Sequence, residues 1–87
     1  MKQVEFIHIA ERKLQRRVIE KQWVADTIIN PMQTLDGYGG RKVAQSKYVI
    51  DNKGYLLRVV CEEPEDAYYV ITAYLTSQVN RYWMDGI

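Results

Sequence analysis

The chain has 87 residues, 47% of them hydrophobic, and its twelve Lys/Arg against eleven Asp/Glu leave a net charge of +1. That length suits one domain over residues 1–87 and leaves no room for two, and the near-neutral total argues against a uniformly basic nucleic-acid binder. No apolar run approaches the roughly 18–20 residues needed to cross a bilayer, and no charged-then-apolar leader opens the sequence, so a cytoplasmic location without membrane association is expected.

From about Phe6 to Arg17 the pattern predicts an amphipathic helix. With His8 set at 0° and about 100° per residue, Phe6, Ile7, Ala10 and Leu14 gather between roughly 160° and 260°. His8, Arg12 and Arg16, at i, i+4 and i+8, fall within roughly 0° to 80°, away from that core stripe. Stacked cations at this spacing cost a few tenths of a kcal/mol per pair, so helix stability alone does not account for the row. Two guanidiniums beside an imidazole do suit a phosphate, since arginine forks phosphate oxygens and histidine moves protons near neutral pH. The plainer alternative makes Arg12 and Arg16 solvated surface residues, with Arg16 facing Glu20 and with Glu62 or Glu63 reaching back.

A second helix is predicted from about Glu20 to Ile29, with Trp23, Val24, Thr27 and Ile28 at helical spacing and Asn30-Pro31 ending it. Residues 33–40, QTLDGYGG, read as a glycine-rich loop leading into Arg41 and Lys42. Glycines before a basic pair let backbone approach a phosphate, although most such loops are only turns needing positive φ. The spacing is not that of a Walker A or dinucleotide-binding loop.

Strands are predicted over Lys42–Ile50, Tyr55–Glu62 and Ala67–Ser77, joined by the turn Asp51-Asn52-Lys53-Gly54 and by residues 62–66. Both connections are short, which favours sequential antiparallel pairing. In the last strand, alternation puts Val70, Thr72 and Tyr74 on one face, and Ile71 and Ala73 on the other. A hydroxyl and a phenol sharing a face are equipped to contact phosphate or supply a proton, though both residue types are also ordinary strand formers. Asn80 to Met84 is expected to pair at an edge or close the sheet. The class is α+β: two N-terminal helices packed on a twisted three- to four-stranded antiparallel sheet.

Cys61 is the lone cysteine, in the apolar run Leu56 to Cys61, and reads as a buried small hydrophobe. One Cys and one His cannot build a zinc or iron–sulfur site, and no metal or cofactor is expected. Charge is unevenly spread: residues 1–50 carry +4 and residues 51–87 carry −3. A dipolar molecule with one face fit for anions follows.

The run His8-Ile9-Ala10-Glu11-Arg12-Lys13-Leu14-Gln15-Arg16 precedes a helix ending in Asn30-Pro31. Gly37 to Gln45 (GYGGRKVAQ), Leu56 to Val60 (LLRVV), Val70 to Thr76 (VITAYLT) and Arg81 to Trp83 (RYW) follow. In this order the motifs resemble a widespread prokaryotic domain family named only as one of unknown function. That family is placed in the superfamily joining barnase, EndoU, the tRNase colicins and the RelE/ParE toxins. The resemblance covers nearly the whole chain. It implies a helix pair on a twisted antiparallel sheet, and a toxin encoded beside a small acidic antitoxin that acts on RNA, ribosome-bound or free, without metal.

Carried over by position, the resemblance puts the family's helix histidine and arginines on His8, Arg12 and Arg16, its loop arginine on Arg41 and its final-strand hydroxyls on Thr72 and Tyr74. His8, Arg12, Arg16 and Tyr74 are the expected catalytic residues, and Arg41 and Thr72, with Lys42 and Arg58 beside them, the expected phosphate-binding ones. Arg17 departs from the pattern, since related sequences usually carry glycine after the last helix arginine. The implied reaction is attack of an RNA 2′-hydroxyl on its adjacent phosphate, with His8 moving a proton. Two other functions stay open: a non-catalytic toxin docking on a protein such as gyrase, as ParE-like relatives do, and a toxin-derived module whose site has decayed.

Overall fold

The computed structural model describes residues 3–85. Strand β1 (Gln3–Phe6) comes first, followed by helices α1 (His8–Arg17) and α2 (Lys21–Ile29) and strand β2 (Gln33–Asp36). A glycine turn at Tyr38–Gly40 leads to the long strands β3 (Lys42–Ile50), β4 (Lys53–Glu62) and β5 (Ala67–Thr76), and a helical turn, α3 (Val79–Tyr82), follows. The five strands lie in the order β1-β5-β4-β3-β2. β1 runs parallel to β5, and every other pair is antiparallel. The class is α+β, as expected, but the sheet is mixed and has five strands, and a strand precedes the helices.

Both unexpected strands are four residues long. In β1 the inward Val4 and Phe6 pack against the core, so Phe6 belongs to the strand and not to the helix. Ile7 is extended at φ −68°, ψ 155°, and the helix starts only after it. In β2 half-buried Gln33 and Leu35 alternate with exposed Thr34 and Asp36, a period-2 pattern hidden by the glycines that follow. Asn80 to Met84 adds no strand. Residues 79–82 instead form the turn α3, whose C-terminal neighbours lie on the sheet face.

The helices cover one face of the sheet. Ala10 and Leu14 of α1 and Val24 and Ile28 of α2 pack with Leu57, Val59 and Cys61 of β4 and with Val70 and Ala73 of β5. α1 closes on a Schellman-type turn: Val18 N–H donates to the Gln15 carbonyl at 3.3 Å and Ile19 N–H to the Leu14 carbonyl at 3.0 Å. Val18 sits in the left-handed region at φ 55°, ψ 45°, and the buried Ile19 returns to the core beside Leu14. The two-residue turn between β3 and β4 has positive φ at Asp51 and Asn52, 51° and 64°, which fits the right-handed twist of a tight hairpin.

Alternation along β5 is broken once. Thr72 lies opposite Val60 and Val70 opposite Cys61, so Ile71 is an extra residue, a β-bulge. The bulge turns Val70 into the core beside Ala73, while Thr72 and Tyr74 face the other way. The expected grouping of Val70 with Thr72 and Tyr74 is therefore corrected. No helix among the described residues is long and apolar enough to cross a membrane.

Candidate functional site

On the sheet face opposite the helices, four polar residues stand directly across from one another on successive strands: Gln33, Gln45, Arg58 and Tyr74. Direct cross-strand neighbours are about 4.5–5.5 Å apart, within reach of one another's side chains. Gln45 Nε2 donates to Gln33 Oε1 at 2.8 Å, Arg58 Nε donates to Gln45 Oε1 at 3.0 Å, and Arg58 Nη1 donates to the Tyr74 phenol oxygen at 2.6 Å. The C-terminal segment closes one end of the row. Gln45 Nε2 also donates to the Tyr82 carbonyl at 3.1 Å, and Gln33 exchanges hydrogen bonds with the Met84 backbone at 2.6 and 3.1 Å. Arg58 lies 4.3 Å from the centre of the Tyr82 ring.

Arg58 is half-buried, and its hydrogen-bond partners among the described residues, Gln45 and Tyr74, are neutral. The ion pairs among the described residues, Lys21–Glu11, Arg41–Glu62 and Lys42–Asp36, lie outside the row. A partly desolvated guanidinium without a carboxylate is unfavourable on its own and favours any anion that fits its fork. Tyr74 accepts from Arg58, which leaves its own O–H free to donate outward. Further cations interleave with rings nearby: Lys47 Nζ is 3.9 Å from the Trp83 ring centre and Arg81 5.4 Å from that of Tyr82. Alternating cations and aromatics of this kind suit a single nucleic-acid strand, whose phosphates take the charges and whose bases stack.

The expected residues are distributed unevenly around this row. Thr72 is on the same face, one position pair along β5 from Tyr74, and its hydroxyl accepts from Arg17 Nη1 at 3.2 Å. His8, Arg12 and Arg16 are exposed on α1, and their side chains form no hydrogen bond or ion pair with another described residue. Their sector of the helix lies opposite that of Ala10 and Leu14, which face the sheet, so the row on α1 points away from the sheet altogether. Tyr74 and Arg58 are on the far side, and the two groups do not converge. The Arg16–Glu20 pair that the plainer alternative offered is not formed among the described residues, although Arg12 and Arg16 are exposed as that alternative has them. Glu11, beside His8, pairs instead with Lys21 at 2.8 Å, and that bond is the main reason its carboxyl is held below the usual range.

Arg41 and Lys42 also lie apart. Lys42 is three residues before Gln45 on β3, roughly 10 Å along the strand. Arg41 Nε donates to Glu62 at 3.2 Å and Lys42 Nζ to Asp36, so both cations are committed to exposed ion pairs. The Lys42–Asp36 hydrogen bond holds the Asp36 carboxyl down and the Lys42 ammonium up. The preceding turn places Gly39 and Gly40 at φ 70° and 81° and leaves Tyr38 98% exposed, so its glycines serve the turn itself. Cys61 is buried, and desolvation pushes its thiol up.

Sequence reasoning reached Arg58 and Tyr74 and missed Gln33, Gln45, Tyr82 and Arg17. Gln45 had a detectable signal, a long polar residue among the apolar positions of a central strand. Arg17 stood out only as a departure from the motif. No group of three or more His, Cys, Asp or Glu that could hold a metal ion occurs among the described residues. Comparisons with protein-family models, characterised proteins and solved structures give no match.

Proposed function

We propose that this domain is an RNA-directed toxin of the RelE/ParE-like type, an endoribonuclease whose reacting phosphate is held by Arg58 and Tyr74 on the open sheet face. The observation that carries this reading is the half-buried Arg58 guanidinium, 2.6 Å from the Tyr74 oxygen and without a carboxylate partner among the described residues. The motif resemblance supports RNA cleavage as the reaction, although it gives the proton transfer to His8 and not to Tyr74, and the surrounding Lys47, Arg81, Tyr82 and Trp83 favour a single strand as the substrate.

In the reaction the ribose 2′-oxygen attacks the adjacent phosphorus. The 2′-O–P bond forms and the P–O5′ bond breaks, giving a 2′,3′-cyclic phosphate and a free 5′-hydroxyl. Arg58 stabilises the charge that develops on the phosphoryl oxygens. Tyr74 gives its phenol proton to the departing 5′-oxygen, and the guanidinium steadies the phenolate left behind. Water takes the 2′-hydroxyl proton and later restores that of Tyr74. Because the nucleophile belongs to ribose, RNA is cut and DNA is spared. The test is cleavage of a labelled single-stranded RNA by purified wild type, Tyr74→Phe and Arg58→Gln, with folding checked by circular dichroism. Each substitution should lower the rate by about a hundredfold or more. Cleavage that survives either one, or that proceeds equally on DNA, contradicts the reading.

A second role belongs to the other side of the molecule. His8, Arg12 and Arg16 form an exposed cationic row without a pairing carboxylate among the described residues. Such a row suits an acidic segment of a protein, in the first place an antitoxin, or a protein target such as gyrase if no RNA is cut. Arg12→Glu/Arg16→Glu should abolish that association and leave RNA cleavage unchanged.

A further inference from the structure

β1 pairs with Ala67 to Val70, and no strand among the described residues borders the edge of β5 from Ile71 onward. Arg17, the last residue of α1, turns towards this edge. Its Nη1 donates to the Ala73 carbonyl at 2.8 Å and to Thr72 Oγ1 at 3.2 Å. α1 lies on the helix-covered face and Thr72 on the open face, so the Arg17 side chain crosses the rim of the sheet. There it borders a cleft of about 520 Å³ whose other walls are Ile19, Leu75 and Tyr74. Tyr74 thus has Arg58 of β4 on one side, 2.6 Å from its oxygen, and shares the cleft on the other side with Arg17, which is bound to Thr72 and Ala73 at the outer rim of β5. Arg17, like Arg58, has no carboxylate partner among the described residues, and its hydrogen bonds use one of its three nitrogens.

A cation at a helix C-terminus is stabilised by the helix dipole without leaving solvent. Arg17 is exposed like such a cation, but its guanidinium is in addition fixed over the strand edge by two hydrogen bonds, beside a cleft that opens next to the phenol. Resting on the reading of Arg58 and Tyr74 given above, we infer that Arg17 is a substrate-binding residue. It holds the phosphate next to the one gripped by Arg58, while Ile19, Leu75 and the Tyr74 ring receive the intervening nucleoside. The single strand therefore leaves the sheet face across the rim of β5 towards the end of α1.

The test compares two probes, a 2′-O-methylated uridine trinucleotide and uridine 3′-phosphate, on wild type, Arg17→Gln, Arg17→Lys and Arg58→Gln. Affinities come from fluorescence anisotropy and isothermal titration, with thermal unfolding measured for each variant. Arg17→Gln should weaken the trinucleotide about tenfold and leave the mononucleotide unchanged. The salt dependence of trinucleotide binding should fall by about 0.7 in slope, the share of one phosphate on a single strand. Arg17→Lys should keep that slope, and Arg58→Gln should weaken both probes. If Arg17→Gln leaves the trinucleotide untouched while Arg58→Gln weakens it, the second subsite is refuted and the first stands. Equal weakening of both probes by Arg17→Gln means that it acts only by positioning Tyr74, which also overturns the proposal. If Arg58→Gln affects neither probe, the reading of the sheet face fails and the subsite falls with it.

Discussion

Val18 is 82% exposed and closes α1 in the left-handed region, at φ 55° and ψ 45°. A non-glycine residue there costs about 1–2 kcal/mol from the approach of Cβ to the backbone, and a β-branched residue lies at the upper end. Val18→Gly removes that strain and sacrifices almost no packing, because the side chain lies mostly in water. Against this stands the extra entropy of glycine in the unfolded chain, about 0.5–1 kcal/mol. The net gain is about 1–1.5 kcal/mol, which for a domain of this size raises Tm by about 5–8 °C. Thermal unfolding by circular dichroism, with urea denaturation in parallel, measures both quantities. Val18→Ala keeps a Cβ and should recover only a fraction of the gain. A Tm for Val18→Gly equal to or below wild type would refute the strain argument, and with it the Schellman-type ending that carries Arg17 to the edge of β5.

Arg58→Met should cost about 1 kcal/mol in chemical denaturation: it orphans the Oε1 of the fully buried Gln45, a loss partly offset by removing an unpaired half-buried cation. A loss above about 4 kcal/mol would make Arg58 a structural keystone, contrary to a residue held for anion binding. Cys61 should resist a thiol reagent such as DTNB in the native protein and react within seconds in denaturant, since burial shields the thiol and raises its pKa. The carboxyls of Glu11 and Asp36 are lowered by hydrogen bonds from Lys21 and Lys42, so each favours the folded state above its ordinary value. That contribution should fade as pH falls below the ordinary values of 4.5 and 3.8 and through the lowered ones. Urea midpoints at pH 6 and pH 3 should therefore differ less in Lys21→Met/Lys42→Met than in wild type. Because all four groups are exposed, high salt should shrink the difference as well.

What could be read from the sequence depended on how local each signal was. Ala10 and Leu14, and Val24, Thr27 and Ile28, form helical stripes long enough to declare themselves, and all five are buried. The strand Lys42–Ile50 and the Asp51-Asn52 turn carry their own chemistry and stand where expected. β1 and β2 are four residues each and owe their existence to β5 and β3, partners that no local pattern specifies. The bulge at Ile71 has no residue signature, and it alone decides that Val70 parts from Thr72 and Tyr74. The candidate site was legible as residue types and not as a place. His8, Arg12 and Arg16 share one helix face, as their spacing requires, but which side of the sheet that helix covers is a tertiary fact. Arg58 and Tyr74 meet because their strands pair in one register, and Gln45 joins them for the same reason.

The two faces make opposite demands on a single experiment, the cleavage of a single-stranded RNA by wild type, Tyr74→Phe and His8→Gln at matched concentration, with the product ends identified. If the sheet face performs the chemistry, wild type and His8→Gln yield the same cyclic-phosphate and 5′-hydroxyl ends at similar rates, and Tyr74→Phe yields almost none. Loss of cleavage in His8→Gln with full activity in Tyr74→Phe would contradict that assignment and move the reaction to the outward face of α1.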